Sequence, residues 1–186
     1  MSKAVMLSIR PKWCAKIASG EKTIEVRKTK PKLETPFKCY IYCTRDKHLA
    51  FMQNQTGTNL IACMDVNAAI PVGGAIGNGK VIGEFICDRI YELAPLNHAP
   101  DDVEKQACLT REEIVNYLKG TGYGWHISDL RIYDTPKELS EFKTLCRVDA
   151  DCCACPYYNY IKMDCDGRVI GRPPQSWCYV DDLQTK

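Results

Sequence analysis

Lys22, Glu25 and Arg27 stand close together in the stretch SGEKTIEVR, residues 19 to 27, and their types and spacing suit the gripping of a polar ligand. Side chains alternate along an extended strand, so Thr23, Glu25 and Arg27 share one face while Ile24 and Val26 share the other. The apolar pair belongs to a core, which leaves Glu25 and Arg27 together opposite it, with Lys22 at the strand entrance. Arg27 offers a planar fork to phosphate and Lys22 a compact point charge. Glu25 either accepts from an exocyclic amine or holds Arg27 in position. The competing account of the same spacing is a surface ion-pair ladder of little energetic weight.

These cations sit inside a local concentration of charge. The segment from Arg10 to Lys32 carries eight basic residues against two acids, a local charge of +6, whereas the rest of the chain carries 17 basic and 21 acidic residues, or −4. A mildly acidic body with a basic N-terminal patch, Arg10 included, points to an anionic partner docking at one place. A solvated basic helix face is the plainer alternative. Further along, GYGWHIS places Tyr123, Trp125 and His126 close together. Any of the three rings would stack on an unpaired base. Trp125 reads equally well as a core aromatic, and His126 as a structural histidine.

The elements that must position these groups can be read from pattern. Val5 to Ile9 predicts a short strand, and Pro11 opens a helix that Gly20 stops. Trp13, Ile17 and Cys14 are its expected buried face. KTIEVRK is the second strand, Phe37 to Thr44 a third, and Lys80 to Leu93 restores a strand after a pattern-poor excursion over residues 45–79. Thr110, with Glu113 three residues on, predicts a capping box for a helix ending at Gly120. Leu130 to Tyr133 is a further strand, and Thr135, Pro136 and Glu138 are expected to start a short helix. Strands at these spacings without regular helical crossovers favour an α+β fold built on a small mixed β-barrel or curled sheet.

Composition bounds the rest. The 186 residues, 26% of them charged and summing to +2, fit one domain with a small appendage and exclude a uniformly basic chain. No run approaches the roughly 18 apolar residues of a membrane span, and the N-terminus lacks a secretory pattern, so a cytoplasmic protein without membrane partners is expected. Gly74 to Lys80, GAIGNGK, satisfies the phosphate-loop spacing. It fails on context, because Val81 stands where Ser or Thr should hold magnesium and a strand follows where a helix should. Of the 12 cysteines, Cys39, Cys43, Cys63 and Cys87 sit among apolar residues as small hydrophobes. Cys152 and Cys155 have C-x-x-C spacing, and Cys165 and Cys178 would complete a structural zinc site. The alternative is a set of reduced thiols in a tail, with Cys178 buried beside Trp177 and Tyr179. No other cofactor is implied.

LSIRPKWCAKIASGEKTIEVRKTKPK, followed by FKCYIYCT and GKVIGEF, resembles the ASCH domain, the ASC-1 homology branch of the PUA-like superfamily. Gly20, Lys22, Glu25 and Arg27 carry its G-x-K-x-x-E-x-R signature. GYGWHISDLRIYDTPKELSEF and RPPQSWCYV are similar to the longer bacterial and prophage members. The resemblance implies a PUA-like barrel over residues 1–142, with the insertion at about 45–79, and a Cys-rich extension over 143–186 packed on it. It also implies a cleft in which Lys22, Glu25 and Arg27, with Thr23, Arg10, Tyr123, Trp125 and His126 around them, bind RNA or a nucleotide-like molecule.

Catalysis is the competing class. Some small ASCH proteins are amidohydrolases on acetylated cytidine with a threonine nucleophile two residues before the signature arginine. Here that position is Glu25, and Thr23 lies one strand repeat earlier without an assured base. Ribonuclease action in the same cleft, with Lys22 stabilising charge and His126, Tyr123 or a carboxylate as acid or base, ranks between binding and amidohydrolysis. A module that docks only an acidic protein surface is the remaining alternative.

Overall fold

An unbroken apolar run, AVML, lets one strand feed two cores because successive side chains point to opposite faces, and the first strand does so. In the computed structural model, which describes residues 3–53, 60–63, 75–93, 99–144, 158–159, 164–165 and 167–182, β1 (Lys3–Ile9) lies inside a seven-stranded sheet. Val5, Leu7 and Ile9 enter one apolar cluster with Cys14 and Ile17 of helix α1 (Pro11–Ala18). Ala4 and Met6 enter a second with Tyr40, Phe142 and Val180. Beside β1 run β3 (Phe37–Cys43), parallel, and β15 (Trp177–Asp181), antiparallel. Beyond β3 come β7 (Val81–Cys87) and β10 (Ser128–Lys137); beyond β15 come β11 (Lys143–Thr144) and β14 (Arg168–Val169).

β2 (Ile24–Arg27) belongs to a separate three-stranded sheet, paired with β9 (Tyr123–His126), which in turn pairs with β8 (Ile90–Glu92). Ile24 and Val26 pack on helices α2 (Val103–Ala107) and α3 (Arg111–Leu118) through Val103, Ala107, Ile114 and Leu118. The expected capping box is present: Thr110 Oγ1 accepts from the Glu113 amide, and the Glu113 carboxylate accepts from the Thr110 amide. α1 ends where Gly20 takes φ +78°, a conformation that costs a side-chain-bearing residue energy.

Several expectations are corrected. The fold is α+β and mostly strand, with three α-helices among the described residues, but the large sheet is open, with β10 and β14 at its edges, and does not close into a barrel. Strand count and order in a sequence carry no information on whether the edges meet. The excursion at 45–79 is not patternless: β4 (Ala50–Gln53) pairs with both β5 (Leu60–Cys63) and β6 (Ala75–Ile76), and Phe51 is fully buried in the main core. The glycine-rich turn after β6 serves that sheet, since Asn78 accepts from the Phe51 amide at 2.7 Å and donates to the Leu49 carbonyl at 2.8 Å. No helix starts at Thr135; β10 runs on to Lys137, and a 3-10 turn covers Leu139–Glu141.

The segment after residue 142 contributes β11, β14 and β15 to the large sheet, besides the small hairpin β12 (Tyr158–Asn159) and β13 (Asp164–Cys165). No helix among the described residues is long and apolar enough to cross a membrane.

Candidate functional site

A cleft of about 440 Å³ opens where the ends of β1, the entrance of β2, α1 and α3 meet a C-terminal strap, residues 174–176. Each wall has a local cause. On α3, Ile114 and Leu118 fill the core four residues apart, so Glu113 and Tyr117, also four apart, fall on the adjoining face and line the cleft. The strap is drawn onto β1 by Ser8, whose amide donates to the Ser176 carbonyl at 3.0 Å and whose hydroxyl donates to the Pro174 carbonyl at 2.6 Å.

The floor is a charge triad. Glu25 lies between Arg27, 3.0 Å from one carboxylate oxygen, and Lys22, 3.4 Å from the other. Lys22 also donates to the Ala107 carbonyl at 2.7 Å, and its ammonium sits 5.1 Å from the centre of the Trp13 ring. Arg27 donates from Nη2 to the Ser8 carbonyl at 2.8 Å and from Nη1 to the Ser176 carbonyl and hydroxyl, both at 3.3 Å. Its Nε is buried and, among the described residues, has no hydrogen-bond partner.

The alternation that separates Glu25 and Arg27 from Ile24 and Val26 is present, but the charged groups do not form the surface ion-pair ladder that the spacing also allowed. Lys22, Glu25 and Arg27 are 2%, 7% and 6% exposed. Helix α1 and the strap cover the polar face of β2 just as α2 and α3 cover the apolar one. Periodicity reports which side chains share a face and is silent on what covers it.

The other expected residues part company. Arg10 is exposed on the cleft lining. Thr23 turns from the cleft to α2, where its hydroxyl meets the Gln106 side-chain carbonyl at 3.3 Å. Tyr123, across the β2–β9 pair from Arg27, is half-buried under the Lys30 ammonium at 4.8 Å and off the cleft lining. Trp125 is fully buried, 5.8 Å from Phe37 and 6.0 Å from Trp177 between ring centres, with no face for a base. His126 meets Asp88 through Nδ1 at 2.6 Å on the opposite side of β2's pairing from Glu25. Against the upward push of burial, the His126 ring holds the Asp88 carboxyl below its ordinary value.

Two aromatic rings that the sequence reading missed stand on the cleft instead. Trp13, assigned there to the buried helix face, is only partly buried, and α1 buries Pro11, Cys14 and Ile17. Tyr117 is 43% exposed, with the Lys28 ammonium 5.3 Å from its ring. An exposed tyrosine beside the Ile114 and Leu118 stripe was the available signal. Cys14 lies near the triad, but burial first, and then its bond to Cys43, push its thiol well above the ordinary value, so it is no thiolate nucleophile at neutral pH.

Of the proposed zinc ligands, Cys152 and Cys155 lie outside the described residues, as does the side chain of Cys165. Cys178 is half-buried on β15, and burial pushes its thiol up to about 11. Among the described residues no group of three or more His, Cys, Asp or Glu side chains is arranged to hold a metal.

No protein-family model matches the sequence, and no curated protein does. Solved structures do match. The crystal structure of ASCH from Zymomonas mobilis aligns with a TM-score of 0.53 at 17% identity, covering 96% of this chain and 87% of that one. Two mutant forms of that protein align likewise. The tyrosine-to-phenylalanine form gives 0.54 at 18% identity, covering 97% and 91%, and the serine-to-alanine form 0.55 at 16%, covering 96% and 88%. With nearly its whole length superposed on those structures, this chain has the ASCH-domain fold.

Proposed function

We propose that the cleft binds RNA or a nucleotide-like ligand, holding one nucleotide unit at a time. The observation that carries this reading is the convergence of three cations, Arg10, Lys22 and Arg27, and two rings, Trp13 and Tyr117, on one cavity of about 440 Å³. That volume lies in the range of small-ligand sites. Basic groups interleaved with aromatic faces are the general means of holding unpaired nucleotides. Glu25 engages both cations of the floor and organises them.

Cleavage in the same cleft is less well supported. A general base needs a free lone pair at neutral pH. Both Glu25 oxygens face cations, and Cys14 is held protonated. The ASCH-type amidohydrolase nucleophile is absent at position 25.

The test uses exposed residues, so that loss of fold is not mistaken for loss of contact. Labelled single-stranded RNA is titrated by fluorescence anisotropy at two salt concentrations, and the same samples are run on a denaturing gel. Tyr117→Ala is expected to weaken binding by about 1–3 kcal/mol, and Arg10→Ala to flatten the salt slope by about 0.7 for one lost phosphate contact. Intact RNA is expected on the gel. Binding indifferent to both substitutions contradicts the reading, and cleavage lost in Tyr117→Ala moves the protein to the nucleases.

A further inference from the structure

A second cavity, about 550 Å³, adjoins the cleft. Ser8, Thr44 and Gln175 line both. We propose that this second cavity is a subsite for the neighbouring nucleotide, so that the ligand is an oligonucleotide rather than a free mononucleotide; the inference rests on the nucleotide reading of the cleft.

The lining has the required chemistry. Arg45 is exposed, and among the described residues it is the cation on this lining. Glu138, the acid on the same lining, is already paired with Lys80 at 2.8 Å, so Arg45 leaves a net positive charge for a phosphate. Gly79 takes φ +80°, a conformation that favours glycine, and Arg45 passes over it, with Nε 3.0 Å from where a Cβ would stand. On the same lining, Leu139, Pro173 and Pro174 give apolar surface for a base or sugar, while Ser140 and Gln175 supply hydroxyl and amide groups. The strap that Ser8 and Arg27 hold carries Pro174 and Gln175, so the clamp that closes the first cavity also shapes the second.

The experiment compares, by calorimetry on the full chain, an equimolar mixture of the four ribonucleoside 5′-monophosphates, a mixture of the sixteen 5′-phosphorylated dinucleotides, and a ten-nucleotide RNA. Dinucleotides are expected to bind at least about tenfold more tightly than mononucleotides. The ratio of the two affinities is the readout. It is expected to fall to near one in Arg45→Glu, and also in Gly171→Trp, which adds bulk on the lining where a Cβ meets nothing within 4 Å. Lys105→Glu makes the same charge change on exposed α2 surface and is expected to keep the ratio. A wild-type ratio near one, or a gain that survives both cavity variants, overturns the subsite while leaving the cleft reading standing. Failure of mononucleotides, dinucleotides and the longer RNA alike overturns both.

Discussion

Removing Arg27 tests whether the triad is a buried structural device. The guanidinium is 6% exposed, 3.0 Å from Glu25, and bonded to the Ser8 carbonyl and to Ser176. At 3.0 Å and an effective dielectric constant of about 20, the Coulomb attraction is about 5.5 kcal/mol before desolvation is charged against it. Breaking a buried pair costs roughly 3–5 kcal/mol, because the surviving charge is left without its partner. Lys22 still faces Glu25 at 3.4 Å, which sets Arg27→Ala at the low end, about 3 kcal/mol. For a chain of this size each kcal/mol moves the melting temperature by about 2–4 °C, so a fall of about 6–12 °C is expected. Arg27→Lys keeps the charge and loses the fork, and should fall between Ala and wild type. Thermal unfolding followed by circular dichroism gives the shift, with exposed Lys32→Ala as the control, expected within about 0.5 kcal/mol of wild type. A fall below about 2 °C for Arg27→Ala, or one equal to the control, refutes the burial argument.

Three further outcomes are expected. Asp88 has its folded pKa depressed, so it stabilises above its unfolded pKa and loses that contribution as pH falls through the folded value; with the Asp88 side chain 42% exposed, the effect stays under about 1 kcal/mol. Urea midpoints should therefore separate wild type from Asp88→Asn at pH 6 and converge toward pH 3, and a constant offset would contradict this. Burial raises the thiols of Cys14 and Cys39 and brings Cys87 to about 12, so iodoacetamide at pH 7.5 should leave all three unmodified in the native protein and label them after denaturation; rapid native labelling would show a looser core. Zinc held by Cys152, Cys155, Cys165 and Cys178 requires about one metal per chain, lost in Cys155→Ala together with thermal stability, because structural zinc contributes folding energy; unchanged metal content and stability would end that reading.

What the sequence disclosed was whatever depends on local period or local chemistry. Alternation in KTIEVR separated Glu25 and Arg27 from Ile24 and Val26, Pro11 and Gly20 bracketed α1, and Thr110 with Glu113 announced α3. Long-range facts were not legible. Closing the polar face of β2 needs Ser176, 149 residues away from Arg27, and nothing local to either residue announces the pairing. Trp13 and Trp125 show the same limit: one looked like core and lines the cleft, the other looked able to stack and is core. β4 was missed because Ala50, Phe51 and Met52 are consecutive apolar residues that show no alternation, although Phe51 is among the largest fully buried side chains.

On the proposed reading, a nucleotide occupies the cleft lined by Trp13 and Tyr117 above the Lys22, Glu25 and Arg27 floor. Photocrosslinking of 4-thiouridine-substituted single-stranded RNA, with adducts mapped by mass spectrometry, tests it most directly. Adducts are expected on the peptides that contain Trp13 and Tyr117, suppressed by excess unlabelled RNA. Adducts confined to peptides that contribute nothing to either cavity, or none that unlabelled RNA suppresses, would contradict it.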